Sequence, residues 1–262
     1  MKRIALSLAF LCALVSWTLA SEPFSGKETK EVAPAAPSCH NWGGFYIGGY
    51  GAFDYTTVDV GLDLTHAWAS FPDAKGVVQS EGQHDLDNSG GELGGLIGYN
   101  WQYNKCWVFG LEADGGYLWS RKSRDSGLFD PGNGFPLLHT DTSFKTHYLT
   151  TVGFRVGYAL GNFLPYVTGG LAIGDSDFYQ VVATAPPVFR EGGSKNNTDV
   201  GGMAGAGLQY ALTDHWSVRG QYEFVDLGTF DFNHTTNTPP FFGSSEAKVH
   251  EHNLSVAVIF QF

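Results

Sequence analysis

The 262-residue chain carries 35 Gly, 20 Phe, 12 Tyr and 7 Trp but only 2 Met, a composition that suits sheets rather than helical bundles. Its formal net charge of −11 denies it the basic field that nucleic-acid phosphates require. After the first segment no apolar run reaches the roughly 20 residues of a spanning helix, so any membrane crossing falls to strands.

The chain opens on Lys2 and Arg3, then the apolar run from Ile4 to Leu14 and the small-residue exit Trp17-Thr18-Leu19-Ala20. This order reads as a secretory signal peptide over residues 1–20, cleaved after Ala20. Cys12 lies inside the apolar run, without the small residues that precede a lipid-modified cysteine. Residues 21–41, with Lys27, Glu28, Lys30, Glu31 and the run Ala33-Pro34-Ala35-Ala36-Pro37, have charge and proline but no apolar period. They read as a flexible periplasmic leader.

From residue 42 to 262 the pattern changes to short alternating runs, which form the third region. The alternation predicts eight strands, near 43–55, 91–103, 106–119, 145–160, 163–175, 198–212, 215–227 and 247–262. Eight is even, as a closed antiparallel membrane barrel of a bacterial outer membrane requires. The connections sort by length. Asn104-Lys105, Gly161-Asn162 and Thr213-Asp214 make short turns, whereas 56–90, 120–144, 176–197 and 228–246 are long and polar. Short periplasmic turns and long external loops are the asymmetry of such a barrel.

The two-residue period is clearest in the last run. Leu254, Val256, Val258, Phe260 and Phe262 share one face, opposite Asn253, Ser255, Ala257, Ile259 and Gln261. Trp216, Tyr222 and Phe224 likewise oppose Ser217, Arg219 and Glu223, and Trp107, Phe109, Leu111 and Trp119 oppose Glu112 and Asp114. Tyr148, Val152, Phe154 and Val156 oppose Gly153, Arg155 and Gly157. A soluble barrel would reverse inside and outside, and alternation alone does not tell the two apart. Charges confined to faces rich in glycine favour a small polar interior with lipid outside. Trp107 and Trp119 then mark the two interfacial girdles.

Counted from the short turns, Glu112 and Arg155 fall at similar heights on neighbouring strands. With Asp114, Arg219 and Glu223 they are expected to form an ionic network filling the lumen, either as packing or as a selective pathway. Cys39 and Cys106 fall at the periplasmic end, where an oxidising compartment favours a disulfide; two free thiols is the alternative. Arg121, Lys122 and Arg124 form a basic cluster at the outer end of the third strand, suited to lipopolysaccharide phosphates or to plain solvation. His66, His84, His139 and His234 fall in predicted loops at no metal-site spacing, so no cofactor or metal is expected. His252 and Ser255 are three apart, which puts them on opposite faces and disfavours a lipid-modifying dyad. Neither Gly-x-Ser-x-Gly nor His-Glu-x-x-His occurs, and no enzyme activity is expected.

The segments Trp42-Gly43-Gly44-Phe45-Tyr46-Ile47-Gly48, Gly98-Tyr99-Asn100-Trp101-Gln102, Val108-Phe109-Gly110-Leu111-Glu112-Ala113-Asp114, Pro165-Tyr166-Val167-Thr168-Gly169-Gly170 and Tyr222-Glu223-Phe224-Val225-Asp226-Leu227-Gly228 together resemble the opacity-type outer-membrane β-barrel family of alphaproteobacteria. That family includes major surface proteins of rhizobia, Brucella and Bartonella, some described as porins or haemin-binding proteins. The resemblance spans residues 40 to 262. It implies an eight-stranded transmembrane barrel and a C-terminal aromatic, here Phe262, read by the barrel-assembly machinery. The cysteine pair is not part of its motif. The expected role is non-enzymatic, in envelope integrity and in presenting surface loops to a host or environmental ligand. The alternative is a small-solute pore or a haem-binding surface.

Overall fold

The computed structural model describes residues 39–184 and 188–262; the expected signal peptide and residues 21–38 of the expected leader lie outside them. Among the described residues the elements are β1 (Gly44–His66), a 3-10 turn (Ala67–Ser70), α1 (Pro72–Gly82), β2 (His84–Tyr103), β3 (Trp107–Asp125), β4 (Leu138–Tyr158), β5 (Phe163–Thr184), β6 (Arg190–Ala211), β7 (Trp216–Asn233), the two-residue β8 (Thr235–Thr236) and β9 (Phe241–Gln261). The eight long strands pair antiparallel, each with its chain neighbour, and β9 returns to β1 over the register from Tyr46↔Gln261 to His66↔Phe241. Each long strand thereby has two partners at the short-turn end, the arrangement that removes sheet edges, whereas β2–β3 pairing ends at Glu92↔Leu118 and β6–β7 pairing at Gly202↔Asp226.

The expected faces hold. Leu254, Val256, Val258, Phe154 and Val152 point outward and are about half exposed or more, while Asn253, Ser255, Ala257, Ile259 and Arg155 are buried inside. Outward aromatics form two belts. One, at the short-turn end, includes Trp101, Trp107, Trp216 and Phe262. The other, farther along the wall, includes Phe53, Trp119, Tyr148 and Tyr222.

The strands run well past the second belt, through residues expected to be loop. The apolar phase inverts there. In β1, Phe53 and Tyr55 face out, but beyond them Val58, Val60, Leu62 and Leu64 are buried inside, and Asp59 and Asp63 take the outer face. The predicted loops 56–90, 120–144, 176–197 and 228–246 are thus largely strand. In water the favourable arrangement puts apolar groups inside and charge outside, the reverse of the membrane zone. In β4 and β7 a register shift, between Thr146 and Tyr148 and between Asp226 and Gly228, coincides with this change.

The interior is consequently layered rather than polar throughout. At the short-turn end Trp42, Val108, Ala159, Leu164 and Ala211 form an apolar floor. His40 N donates to Gly161 O and Gln102 Nε2 donates to His40 O, so residues 39–41, which the sequence assigns to the leader, belong to the folded body. A polar zone follows. Above it Val58, Leu86, Phe144, Phe178, Leu227 and Phe230 belong to one apolar layer.

The bore is narrow because backbone crosses close to ring. A Cβ on Gly98 would meet the Tyr46 phenol and lie 2.7 Å from Leu111 O, whereas one on Gly202 would meet nothing within 4 Å. Gly98→Leu is expected to abolish the folded, heat-modifiable band on a gel, while Gly202→Ala keeps it and changes stability by no more than about 0.5 kcal/mol.

Candidate functional site

The polar zone centres on Glu112. Register puts Gly110 opposite Arg155 and Glu112 opposite Gly153, so the carboxylate and the guanidinium reach each other across glycine gaps. Arg219 Nη1 donates to both carboxylate oxygens of Glu112 at 2.7 Å, and Arg155 Nη1 lies 3.4 Å from Oε2. Tyr46 OH donates to the same Oε2 at 2.7 Å. Arg155 Nε donates to Asn100 Oδ1 at 3.0 Å and Nη2 to Gln209 Oε1 at 3.3 Å. Its guanidinium also lies 4.8 Å from the Tyr46 ring centroid and 5.0 Å from that of Tyr166, a cation–π sandwich that fixes it across the bore.

Of the five residues expected in one network, the structure therefore joins Glu112, Arg155 and Arg219. Asp114 and Glu223 stand one layer higher and make no ion pair among the described residues. Thr151 Oγ1 donates to Asp114 Oδ2 at 2.5 Å. Glu223 faces a small cavity shared with Glu92, Asp114 and Asn253. The reason is depth: Asp114 is two residues beyond Glu112 and Glu223 four beyond Arg219, advances of about 7 and 13 Å along the strand. Sequence reading missed Glu92, which accepts from Tyr50 OH and from Asn253 Nδ2, each at 2.6 Å. The odd–even phase of the second strand, opposite to Leu93 and Ile97, would have found it.

The remaining cavity here measures about 10 Å³, room for about one water. Arg155 and Arg219 are 2 % and 3 % exposed, and the Glu112 side chain 9 %. Removing one member of such a cluster strands a buried charge. Arg219→Met is expected to lower the unfolding free energy by about 3–5 kcal/mol, read by urea titration of the barrel in lipid vesicles.

The far mouth is closed by residues 67–82. The Trp68 ring, with no exposed surface, lies 5.1 Å from Phe241, 5.7 Å from Phe135 and 5.9 Å from Phe189 between centroids. One buried chain of polar groups holds both ends of this segment. Trp68 Nε1 donates to Glu191 Oε2 at 3.0 Å, and Glu191 Oε1 lies 3.4 Å from His234 Nδ1. Gln180 Nε2 donates to Gly82 O at 2.8 Å, which turns the Gln180 oxygen toward Ser245. The Ser245 hydroxyl donates to that oxygen, so His234 Nε2 donates to Ser245 Oγ. Nothing in the chain separation of these residues announces the network.

His84, at the start of β2, is held below the ordinary imidazole range, first by burial and then by Arg124. A histidine lowered in the folded state favours the neutral form, so its contribution is present above the unfolded value of about 6.5 and is lost as pH falls through it. Proteolysis within 67–83 is expected to accelerate between pH 7.5 and 5.5, and His84→Asn is expected to flatten that dependence.

The other predicted residues are placed as follows. Cys39 and Cys106 are joined by a disulfide with Cα atoms 5.8 Å apart, tying the chain below β1 to the start of β3. Phe262 is outward, 69 % exposed, and its N donates to Phe45 O at 3.0 Å. Arg121 faces outward, but Lys122 and Arg124 are registered with the buried Phe144 and Thr142 and so alternate to the other face; the three do not form one cluster. His252 Nδ1 is 2.7 Å from Tyr222 OH on the outer wall, whereas Ser255 is buried. Among the described residues no group of three or more His, Cys, Asp or Glu is arranged to hold a metal ion.

The family that the sequence matches agrees with this architecture. Residues 32–260 match the family described as outer membrane protein beta-barrel domain. The 31 kDa outer-membrane immunogenic protein of Brucella melitensis biotype 1 is 28 % identical over 236 residues, covering 87 % of this chain and 89 % of that protein. The 22 kDa outer membrane protein of Rhizobium leguminosarum bv. viciae is 28 % identical over 203 residues, covering 78 % and 72 %. Among solved structures, the outer membrane protein OprG of Pseudomonas aeruginosa aligns at 15 % identity over 87 % of this chain and 99 % of that one, with a TM-score of 0.44. The chain belongs to the outer-membrane β-barrel family, and its place is the outer membrane of a Gram-negative bacterium.

Proposed function

We propose that the protein is a non-enzymatic barrel that contributes to envelope integrity and presents its extracellular rim and wall to the surroundings. The observation that carries this reading is the filled bore. A floor around Trp42, the Arg155 cluster with about 10 Å³ left above it, the Phe144 and Phe178 layer and the Trp68 closure occupy the interior in succession. A solute pathway would need several of these to move at once.

Among the described residues the arrangement Ser245–His234–Glu191, which has the order of a nucleophile, a base and an acid, supports no catalytic reading. The histidine and glutamate side chains have no exposed surface, and the Ser245 hydroxyl is committed to Gln180. The Brucella relatives are named immunogenic, which fits surface presentation for this chain too. At its tip Leu128, Leu137 and Val188 are about half exposed or more. Assembly in this reading uses Phe262 as the signal for the barrel-assembly machinery, after export on residues 1–20.

Planar-bilayer recording on the refolded mature chain is expected to give no stable current steps. Reproducible steps that vanish with Arg219→Trp would replace this reading with that of a small-solute channel.

A further inference from the structure

Beyond the second aromatic belt, the outer wall from β3 to β6 carries one continuous polar groove. Its first part, about 450 Å³, is lined by Arg121, Lys145, Asp177, Tyr179 and Ser194 among others; its second, about 580 Å³, adjoins Tyr179 and Ser194 and ends at Arg190. Register sets the height. Arg121 is opposite Lys145, Lys145 opposite Asp177 and Asp177 opposite Asn196, a horizontal row across four strands. Arg121 stands two residues, about 7 Å along the strand, past Trp119. Trp119 packs on Tyr117 at 5.2 Å, and Tyr117 packs on Tyr148 at 5.3 Å. The row therefore sits at the upper edge of the hydrocarbon zone, where the girdle ends.

Its charge is local. Arg121, Lys145 and Arg190 make no ion pair among the described residues. The acidic member, Asp177, is engaged by His147 at 2.9 Å and by the Asn196 amide. Arg190 Nη2 donates to Tyr179 OH at 3.3 Å, which lays the guanidinium along the groove with donors to spare. On the opposite wall the outward residues of β1, β2 and β9 at this level include Asp59, Asp63, Asp85, Asp87 and Glu246. On the β3–β5 face Asp125, Asp141 and Asp175 flank the row and Lys145 attracts Asp177, so the groove is mixed in sign; Arg121 and Lys145 stand where the upper girdle ends, and Arg190 stands farther out along β6.

We propose that this groove binds the phosphate groups of lipid A in the surrounding outer leaflet, with Arg121 and Lys145 on one phosphate and Arg190 toward the phosphorylated sugar core. Guanidinium forks and ammonium groups are the partners such phosphates take, and the intervening hydroxyls of Tyr179 and Ser194 suit a sugar. This assignment moves the basic site away from Lys122 and Arg124. It is independent of the closed bore, since a conducting barrel with this wall would hold the same lipid.

The test uses the refolded mature chain in detergent micelles, titrated with bisphosphorylated lipid A and with its phosphate-free form. The double variant Arg121→Glu/Lys145→Glu is expected to bind the bisphosphorylated lipid at least ten-fold more weakly and to lose discrimination between the two forms. Lys248→Glu, a single charge reversal of the same kind on the opposite wall, is expected to leave both affinities unchanged. Heat-modifiable mobility verifies folding, and Arg121→Gln/Lys145→Gln replaces the double variant if that one does not fold. Retained discrimination in the groove variant, or an equal loss in Lys248→Glu, would overturn the proposal. So would a soluble sulfated oligosaccharide that binds as tightly and with the same sensitivity, because the groove would then serve an external polyanion.

Discussion

A backbone in hydrocarbon has no water to bond, so each N–H and C=O in the membrane zone needs a partner within the sheet. Here that requirement is met by the return of β9 to β1 and the pairing of β5 with β6, which close the ring. Closure at eight strands then dictates the interior. So narrow a bore is filled by side chains, and Gly98 leaves the space that the Tyr46 phenol occupies. The Glu112 carboxylate meets two arginines and a tyrosine hydroxyl because strands on several sides of the ring face one another across it.

Above the lipid the strands continue while their solvent changes and the ring parts at two seams, where β2 and β3 pair only as far as Glu92↔Leu118 and β6 and β7 only as far as Gly202↔Asp226. The outer face now meets water, and the apolar residues move inside, as Val58 and Leu62 do in β1 and Phe178 and Val182 do in β5. The molecule is a closed membrane barrel at one end and, at the other, two water-facing blocks drawn from the same strands, β7-β9-β1-β2 and β3-β4-β5-β6. Pairing within the β3–β6 block positions Arg121, Lys145 and Tyr179 by strand register.

The membrane half was legible in the sequence for a physical reason. Lipid permits only apolar side chains on one face, so Leu254, Val256 and Val258 advertise that face, and Asn104-Lys105 marks where two strands turn; both residues adopt positive φ. The upper half was not legible. Val58, Val60, Leu62 and Leu64 keep the two-residue period, but Gly61 and the aspartates between them read as loop to an eye expecting strands to stop at the membrane surface. Glu112 and Arg155 could be matched by counting from short turns. Asp114 and Glu223 could not be separated from them, because alternation gives the face of a residue and not its depth. Glu191, His234 and Gln180 were beyond reach altogether: they meet only because β5, β6 and the chain before β9 converge on the closing segment.

That convergence bears on where recognition can occur. Trp68 hangs on Glu191 and Gly82 on Gln180, with His234 and Ser245 between. Opening either end of the 67–82 segment would leave polar groups of this chain buried without partners, at about 1–3 kcal/mol each. The closing segment is therefore coupled to the wall rather than resting on it, and the interior offers a ligand no cheap entrance. Arg121, Lys145 and Arg190 and the exposed apolar tips lie on the outside of the extended strands. The binding chemistry proposed for this protein accordingly falls to wall and rim, with the filled interior beneath them.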